Sequence, residues 1–180
     1  MSFSGAVKSC FAKFVTFSGR ASRSEYWWFF LFLVVLNIAA GAVDWAFFST
    51  VTEIETDTGT ATVAVSNQPV QTLAAALVFL PHLAVAWRRM HDGGRSGLFA
   101  LFPLLMLISA VAVLVFGIGF ADMFASGGRM DILFTRLTLL ITIPALIVAL
   151  VSPLLLFWWL TRPSQPGDNK HGPNPLEVVS

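Results

Sequence analysis

"WWFFLFLVVLNIAAGAVDWAFF", residues 27–48, runs for 22 residues in which only Asn37 and Asp44 carry polar side chains. Crossing about 30 Å of hydrocarbon takes about 20 mostly apolar residues. A backbone in lipid has to satisfy its own hydrogen bonds, so such a run predicts a transmembrane helix. Working outward, three more runs have the same character: "VQTLAAALVFLPHLAVAWRRM" (70–90), "LFALFPLLMLISAVAVLVFGIGFA" (98–121) and "LTLLITIPALIVALVSPLLLFWWL" (137–160). The expectation is an all-α membrane protein, a four-transmembrane-helix bundle forming a single membrane domain over 1–180. The whole composition agrees, at 56% hydrophobic and 12% charged against about 25% charged in a soluble domain. A formal net charge of +1 excludes a general polyanion binder, so no nucleic-acid partner is expected. The four aromatic residues that open the first run, and the 26 residues before it, favour a retained helix over a cleaved signal peptide.

The charges sort by side. With four spans, Lys8, Lys13, Arg20, Arg23, Arg88, Arg89, Arg95, Arg162 and Lys170 share one side, and only Arg129 and Arg136 reach the other, which also carries Glu53, Glu55, Asp57, Asp122 and Asp131. Basic residues near membrane ends are retained in the cytoplasm. Both termini and the 88–97 turn are therefore expected on the cytoplasmic side of a bacterial inner membrane.

Shorter signals fill the connections. Phe3, Val7, Cys10, Phe14 and Phe17 recur at spacings of three and four, which predicts an amphipathic helix over 3–18 in the cytoplasmic interface or packed beneath the bundle. Val51, Ile54, Val63 and Val65 alternate with threonines around "DTG", which predicts a short outer β-hairpin serving as a solvated spacer. The 163–180 cytoplasmic tail is rich in proline and poor in apolar residues, so its composition alone predicts an extended or disordered segment. A single cysteine, Cys10, excludes an intrachain disulfide.

Two helix starts share one chemistry. Ser22 and Glu25 in "GRASRSEYWW" have the spacing of a capping box, and in "GGRSGLF" Gly93 and Gly94 permit a reversal before Ser96 caps the third span. Both helix N-termini would face the same headgroup layer as Arg20, Arg23, Arg88, Arg89 and Arg95, with Glu25 and Asp92 the nearby carboxylates. On a structural reading, the carboxylates pair with arginines across helix ends and the remaining arginines contact lipid phosphates. On a functional reading, Arg20, Arg23, Glu25, Arg88, Arg89, His91, Asp92, Arg95 and Ser96 form a site for an anionic lipid or a partner. Catalysis fits less well, because the neighbours His91 and Asp92 diverge and "GGRSG" is no nucleophile elbow. His82, His91 and His171 are too scattered for a zinc site, so neither metal nor cofactor is expected.

Within the spans, Asn37 and His82 fall roughly 15 Å and 12 Å deep at 1.5 Å per residue, similar depths that predict a mutual or water-mediated bond inside the bundle. Asp44 approaches the outer interface, where water tolerates its charge. Pro81, Pro103, Pro144 and Pro153 are expected to kink their helices.

"FSGRASRSEYWWF", "LAVAWRRMHDGGRSG" and "PSQPGDNKHGPNP" together resemble a bacterial inner-membrane family, domain of unknown function family 805, over about residues 10–175. The matching positions are Gly19, Arg20, Arg23, Glu25, Tyr26, Trp27; Arg88, Arg89, His91, Asp92, Arg95, Ser96; and Gly167, Asn169, Gly172, Pro173, Pro175. The resemblance implies membrane location and this architecture but no activity. It also implies that the tail belongs to the signature and folds onto the arginines through Asp168 and Asn169, against the composition reading. The function expected is a non-enzymatic membrane protein that binds anionic lipid headgroups or a partner. The alternative is a subunit of a small transporter or channel, which four spans would require to be a homo-oligomer.

Overall fold

The computed structural model describes residues 1–56, 59–123 and 129–177, with side chains outside 51–65 and 117–135. In chain order it contains α1 (Phe3–Ala12), α2 (Arg23–Phe48), β1 (Ser49–Thr56), β2 (Gly59–Ser66), α3 (Pro69–Asp92), a 3-10 helix (Gly97–Leu101), α4 (Phe102–Met123) and α5 (Arg129–Thr161). Four helical segments, Arg23–Phe48, Pro69–Asp92, Gly97–Phe116 and Arg136–Thr161, are long and apolar enough to cross a membrane. The four expected spans are therefore present.

The helices pack as two antiparallel pairs, α2 with α3 and α4 with α5. The pairs are joined mainly at one end, where the 3-10 helix packs on α3 and α5 meets the end of α3. Trp27 of α2 meets Phe157 of α5 edge-on at 5.1 Å, and Phe99 meets Trp159 at 5.2 Å. The buried core lies at this same end, built from Cys10, Ala21, Tyr26, Phe29, Val85, Ala86, Met90 and Leu160. Away from it the helices present leucine, isoleucine and phenylalanine outward, as a surface solvated by lipid allows.

Local chemistry sets the helix ends. Ser22 caps α2 by accepting from the Glu25 amide at 3.2 Å. The reciprocal half of the capping box is not made, because the Glu25 carboxylate turns to Ser9 and Arg88. The helix α3 starts with Pro69 and receives no side-chain cap from Gln68. Its free amides are instead taken by Asp44 of α2, which is 1% exposed and accepts from Val70 N at 3.0 Å and Gln71 N at 2.8 Å. Asp44 is thus held at the positive end of a helix dipole rather than in interfacial water. At the far end of α3, Gly93 closes the helix and Gly94 reverses the chain at φ +74°, where a side chain would be strained.

Ser96 caps the next segment as expected, accepting from Leu98 N. Because the first turn there is a 3-10 helix, α4 starts only at Phe102 and Pro103 stands in its first turn. No intrahelical bond is lost there, so Pro103 has no reason to kink the helix. Pro81, Pro144 and Pro153 do lie inside helices. The carbonyl that Pro153 cannot bond, that of Ala149, accepts from the Ser152 hydroxyl at 2.9 Å.

Two boundaries differ from the sequence expectations. The N-terminal helix ends at Ala12 rather than residue 18, because the chain must turn through Gly19, at φ +83°, to reach the end of α3. It buries Ala6 and Cys10 and packs on α2, with Phe11 edge-on to Phe29 and Phe32; Phe14 stays exposed and Phe17 meets Trp87. The helix α5 begins at Arg129, so much of the connection expected over 122–136 is helical; residues 124–128 fall outside the described residues. The hairpin is formed, pairing Ser49 with Ser66 through to Thr56 with Gly59. Its turn at Asp57 and the side chains that would test its solvated face lie outside the described residues.

The largest correction concerns the tail. It is folded, with Gln165 N donating to Asp92 O at 3.0 Å and Asn169 bridging Gly172. Composition misses this order because the bonds that impose it come from side chains elsewhere in the chain.

Candidate functional site

At the joined end, two buried ion-pair nodes tie the elements together. In the first, Asp92, 0% exposed at the end of α3, accepts from Arg20 Nε at 2.9 Å, from Arg89 Nη1 and from the Ser164 hydroxyl. In the second, Glu25 at the start of α2 accepts from Arg88 Nη1 at 3.4 Å and from the Ser9 hydroxyl of α1 at 3.0 Å. Three arginines thus face two carboxylates in a region closed to solvent. Buried charges need such partners, since an unpaired one costs several kcal/mol.

The arginines also bond backbone. Arg89 donates from Nε to Leu160 O at 3.0 Å and from Nη2 to Arg162 O, filling carbonyls that the end of α5 leaves free. Arg20 donates to the tail carbonyls of Gln165, at 2.5 Å, Gly167, at 2.7 Å, and Gly172, at 3.3 Å. A planar guanidinium with five N–H donors can join three segments in this way, and a lysine could not. Arg88 Nε bonds Ala84 O, while its Nη2 is buried with no hydrogen-bond partner among the described residues.

His91 and Asp92 diverge as expected. Asp92 turns to the arginines, whereas His91 Nδ1 lies 3.1 Å from Gly19 O and its ring stacks on His171 of the tail. Asn169 Nδ2 donates to the His91 carbonyl at 3.0 Å. Of the two tail residues that the family resemblance points to, neither meets an arginine: Asn169 bonds the His91 carbonyl instead, and Asp168 is exposed and forms no ion pair among the described residues. Burial holds the His171 pKa below the usual histidine value, helped by the nearby charges of Lys170 and Arg20.

Of the nine residues singled out in the sequence, Arg20, Glu25, Arg88, Arg89, His91 and Asp92 come together buried at the joined end, five of them in the two nodes and His91 in the stack on His171. Arg23 is exposed on α2 outside it, and Ser96 acts as a helix cap. Arg95 lies with its guanidinium 5.4 Å from the Trp159 ring centre. Arg162, which sequence reasoning left out of the site, sits 4.5 Å over Trp158. Both border an open groove of about 440 Å³ whose floor includes Ser164 and Gln165. Its proximity could not be read from spacing, although "WWLTRP" does place an arginine beside two tryptophans at a span end. Ser9, Ser164 and His171 were missed for the same reason: each is joined to the site only by tertiary folding. Among the described residues, no group of three or more His, Cys, Asp or Glu is arranged to hold a metal.

In the spans, Asn37 and His82 line one groove but do not bond each other. Gln71 Nε2 donates to Asn37 Oδ1 at 3.2 Å, and Asn37 faces outward. His82 packs beside Tyr26 and Phe30, and its Nε2 has no partner. The interior Asn37–His82 bond expected from depth is thus replaced by an outward Asn37–Gln71 bond, because His82 sits beside Tyr26 and Phe30, about two to three helix turns down α2 from Asn37.

Fold and site together define a class: a four-span membrane protein whose N-terminal segment, central turn and C-terminal strap are tied by buried arginine–carboxylate pairs. The chain belongs to the family described as "Protein of unknown function (DUF805)", which it matches over residues 14–173. That range holds every residue of both nodes except Ser9. The chain is similar to Inner membrane protein YhaI of Escherichia coli (strain K12), at 36% identity over 108 residues, 60% of this chain and 78% of the relative. It is also similar to Inner membrane protein YhaH of the same strain, at 33% identity over 107 residues, 57% of this chain and 75% of the relative. No solved structure matches the chain.

Proposed function

We propose that this protein lies in a bacterial inner membrane with both termini and the 88–97 turn in the cytoplasm, and that it binds an anionic lipid headgroup there without catalysing a reaction. The observation that carries the reading is the pair Arg95 and Arg162. Once Arg20, Arg88 and Arg89 are matched to Asp92 and Glu25, these two, like the exposed Arg23, have no carboxylate partner among the described residues, and they alone of the three border one open groove. Each rests on a tryptophan, Trp159 or Trp158, of the kind that anchors at headgroup depth. Two guanidiniums bordering one groove suit a phosphate, which takes bidentate N–H donors. His91 and Asp92 are buried and do not line this groove, so the reading assigns the node to holding the groove's walls in place.

The topology rests on the nine basic residues at one end and on the two E. coli relatives being inner membrane proteins. Native mass spectrometry from mixed bilayers tests the binding. Arg95→Gln and Arg162→Gln should each lower retention of phosphatidylglycerol over phosphatidylcholine by roughly fivefold, about 1 kcal/mol per basic residue. Equal retention by wild type and the double variant would overturn the lipid site. A terminal tag reached by protease from the periplasm would overturn the orientation.

A further inference from the structure

A second feature lies far from the arginines, in the middle of the α2–α3 pair. A groove of about 240 Å³ is walled by Leu33, Leu36, Ala75 and Val78 and holds two polar side chains, Asn37 and His82. Asn37 lies ten residues along α2 from Trp27, roughly 15 Å at 1.5 Å per residue and so near the middle of a 30 Å hydrocarbon layer, whereas His82 sits nearer the tryptophan end, beside Tyr26 and Phe30. Among the described residues, neither is fully satisfied. Asn37 Oδ1 accepts one bond from Gln71, but its Nδ2 donates none, and Asn37 faces outward. His82 Nε2 is buried with no partner.

We infer that this groove is the contact between two copies of the chain, formed around Asn37 on a twofold axis. A carboxamide is both donor and acceptor, so two copies of Asn37 facing each other can exchange N–H···O bonds, each Oδ1 keeping its bond from Gln71. An unbonded amide at this depth costs free energy in hydrocarbon, and transmembrane helices relieve such a cost by pairing polar groups across an interface. An acyl chain offers no acceptor, and headgroup oxygens lie too far away to reach. A twofold pairing also keeps both copies in the same orientation in the bilayer and is closed, so it stops at a dimer. Ala74 and Ala75, beside the groove, let the partner helix approach closely.

The test is dimerisation in liposomes, read by energy transfer between labelled copies as lipid is added. Wild type should associate reversibly, and Asn37→Leu should weaken association by about tenfold, the effect of one or two interhelical polar bonds. Leu140→Asn, on the exposed face of α5, should not replace it when combined with Asn37→Leu. An Asn37→Cys variant should form a disulfide-linked dimer on mild oxidation, since Cys10 is buried. Monomers at every dilution, equal association by Asn37→Leu, or a small molecule retained in the groove of a monomer would each overturn the inference.

Discussion

The imidazoles of His91 and His171 lie face to face, with ring centres 3.6 Å apart and planes 6° from parallel. His91 belongs to the end of α3 and His171 to the tail, so this stack is part of the seam that holds the tail down. Two protonated rings cannot remain so close, and Lys170 and Arg20 already disfavour a charge on His171. The groups facing the pair are Lys170, Arg20 and, behind Arg20, Asp92. Because the folded pKa of His171 is lowered, the docked tail binds protons less readily than the released tail. Docking is therefore unaffected above the unfolded value, about pH 6.5, and weakens as pH falls below it. Hydrogen exchange of residues 165–172 should be flat from about pH 8 to 7, after correction for intrinsic rates, and faster near pH 5. His171→Phe, which keeps a stacked ring without a titrating group, should abolish the acid-dependent part. A wild-type profile equally flat at both ends would contradict this account of the seam.

Asp92 is the single carboxylate shared by Arg20 and Arg89, with both members of each pair almost wholly buried. Asp92→Asn keeps the shape and removes the charge, leaving two guanidiniums without a counter-ion. Unfolding in mild detergent should show a loss of about 3–5 kcal/mol. Arg23→Gln, an exposed change at the start of α2, should alter stability by less than about 0.5 kcal/mol. Wild-type stability in Asp92→Asn would show that the node does not hold the fold.

Gly97 is needed for a close approach rather than for its backbone freedom. A Cβ there would stand 2.0 Å from the indole of Trp87, deep inside the van der Waals distance. Gly97→Ala should destabilise by about 1–3 kcal/mol, as overpacked sites do. The loss should shrink when Trp87 is also reduced to alanine, which a double-mutant cycle measures. Additive losses would mean that the two residues do not touch.

Cys10 sits in α1 against the core at 0% exposure. Burial, with the Glu25 carboxylate nearby, pushes its thiol up to about 12. At pH 8 it should react with a charged maleimide more than about a hundredfold more slowly than a free cysteine. Unfolding in sodium dodecyl sulfate should restore the ordinary rate. Fast labelling of the native protein would place α1 away from the core.

How much of this was legible in the sequence differs from element to element. The four spans could be read directly, because lipid imposes a length and an apolar composition on any segment that crosses it. The Ser22 and Ser96 caps, the Gly93–Gly94 reversal and the hairpin were legible too, since each depends on residues a few positions apart. The six buried members of the arginine cluster were found through motif and charge, which bring polar residues to the same membrane edge.

What the sequence by itself determined is therefore the set of helices, their ends and the edge at which the charges collect, all consequences of solvent and of local backbone chemistry. Tertiary structure alone decided which carboxylate takes which arginine, that Asp44 caps α3 from a different helix, that Gln71 rather than His82 bonds Asn37, and that the tail is ordered. The physical reason is that, apart from the Arg89–Asp92 pair within α3, these contacts join residues 26 to 152 positions apart. A guanidinium or carboxylate can bond any complementary group that folding brings within about 3 Å, so spacing along the chain carries no record of its choice.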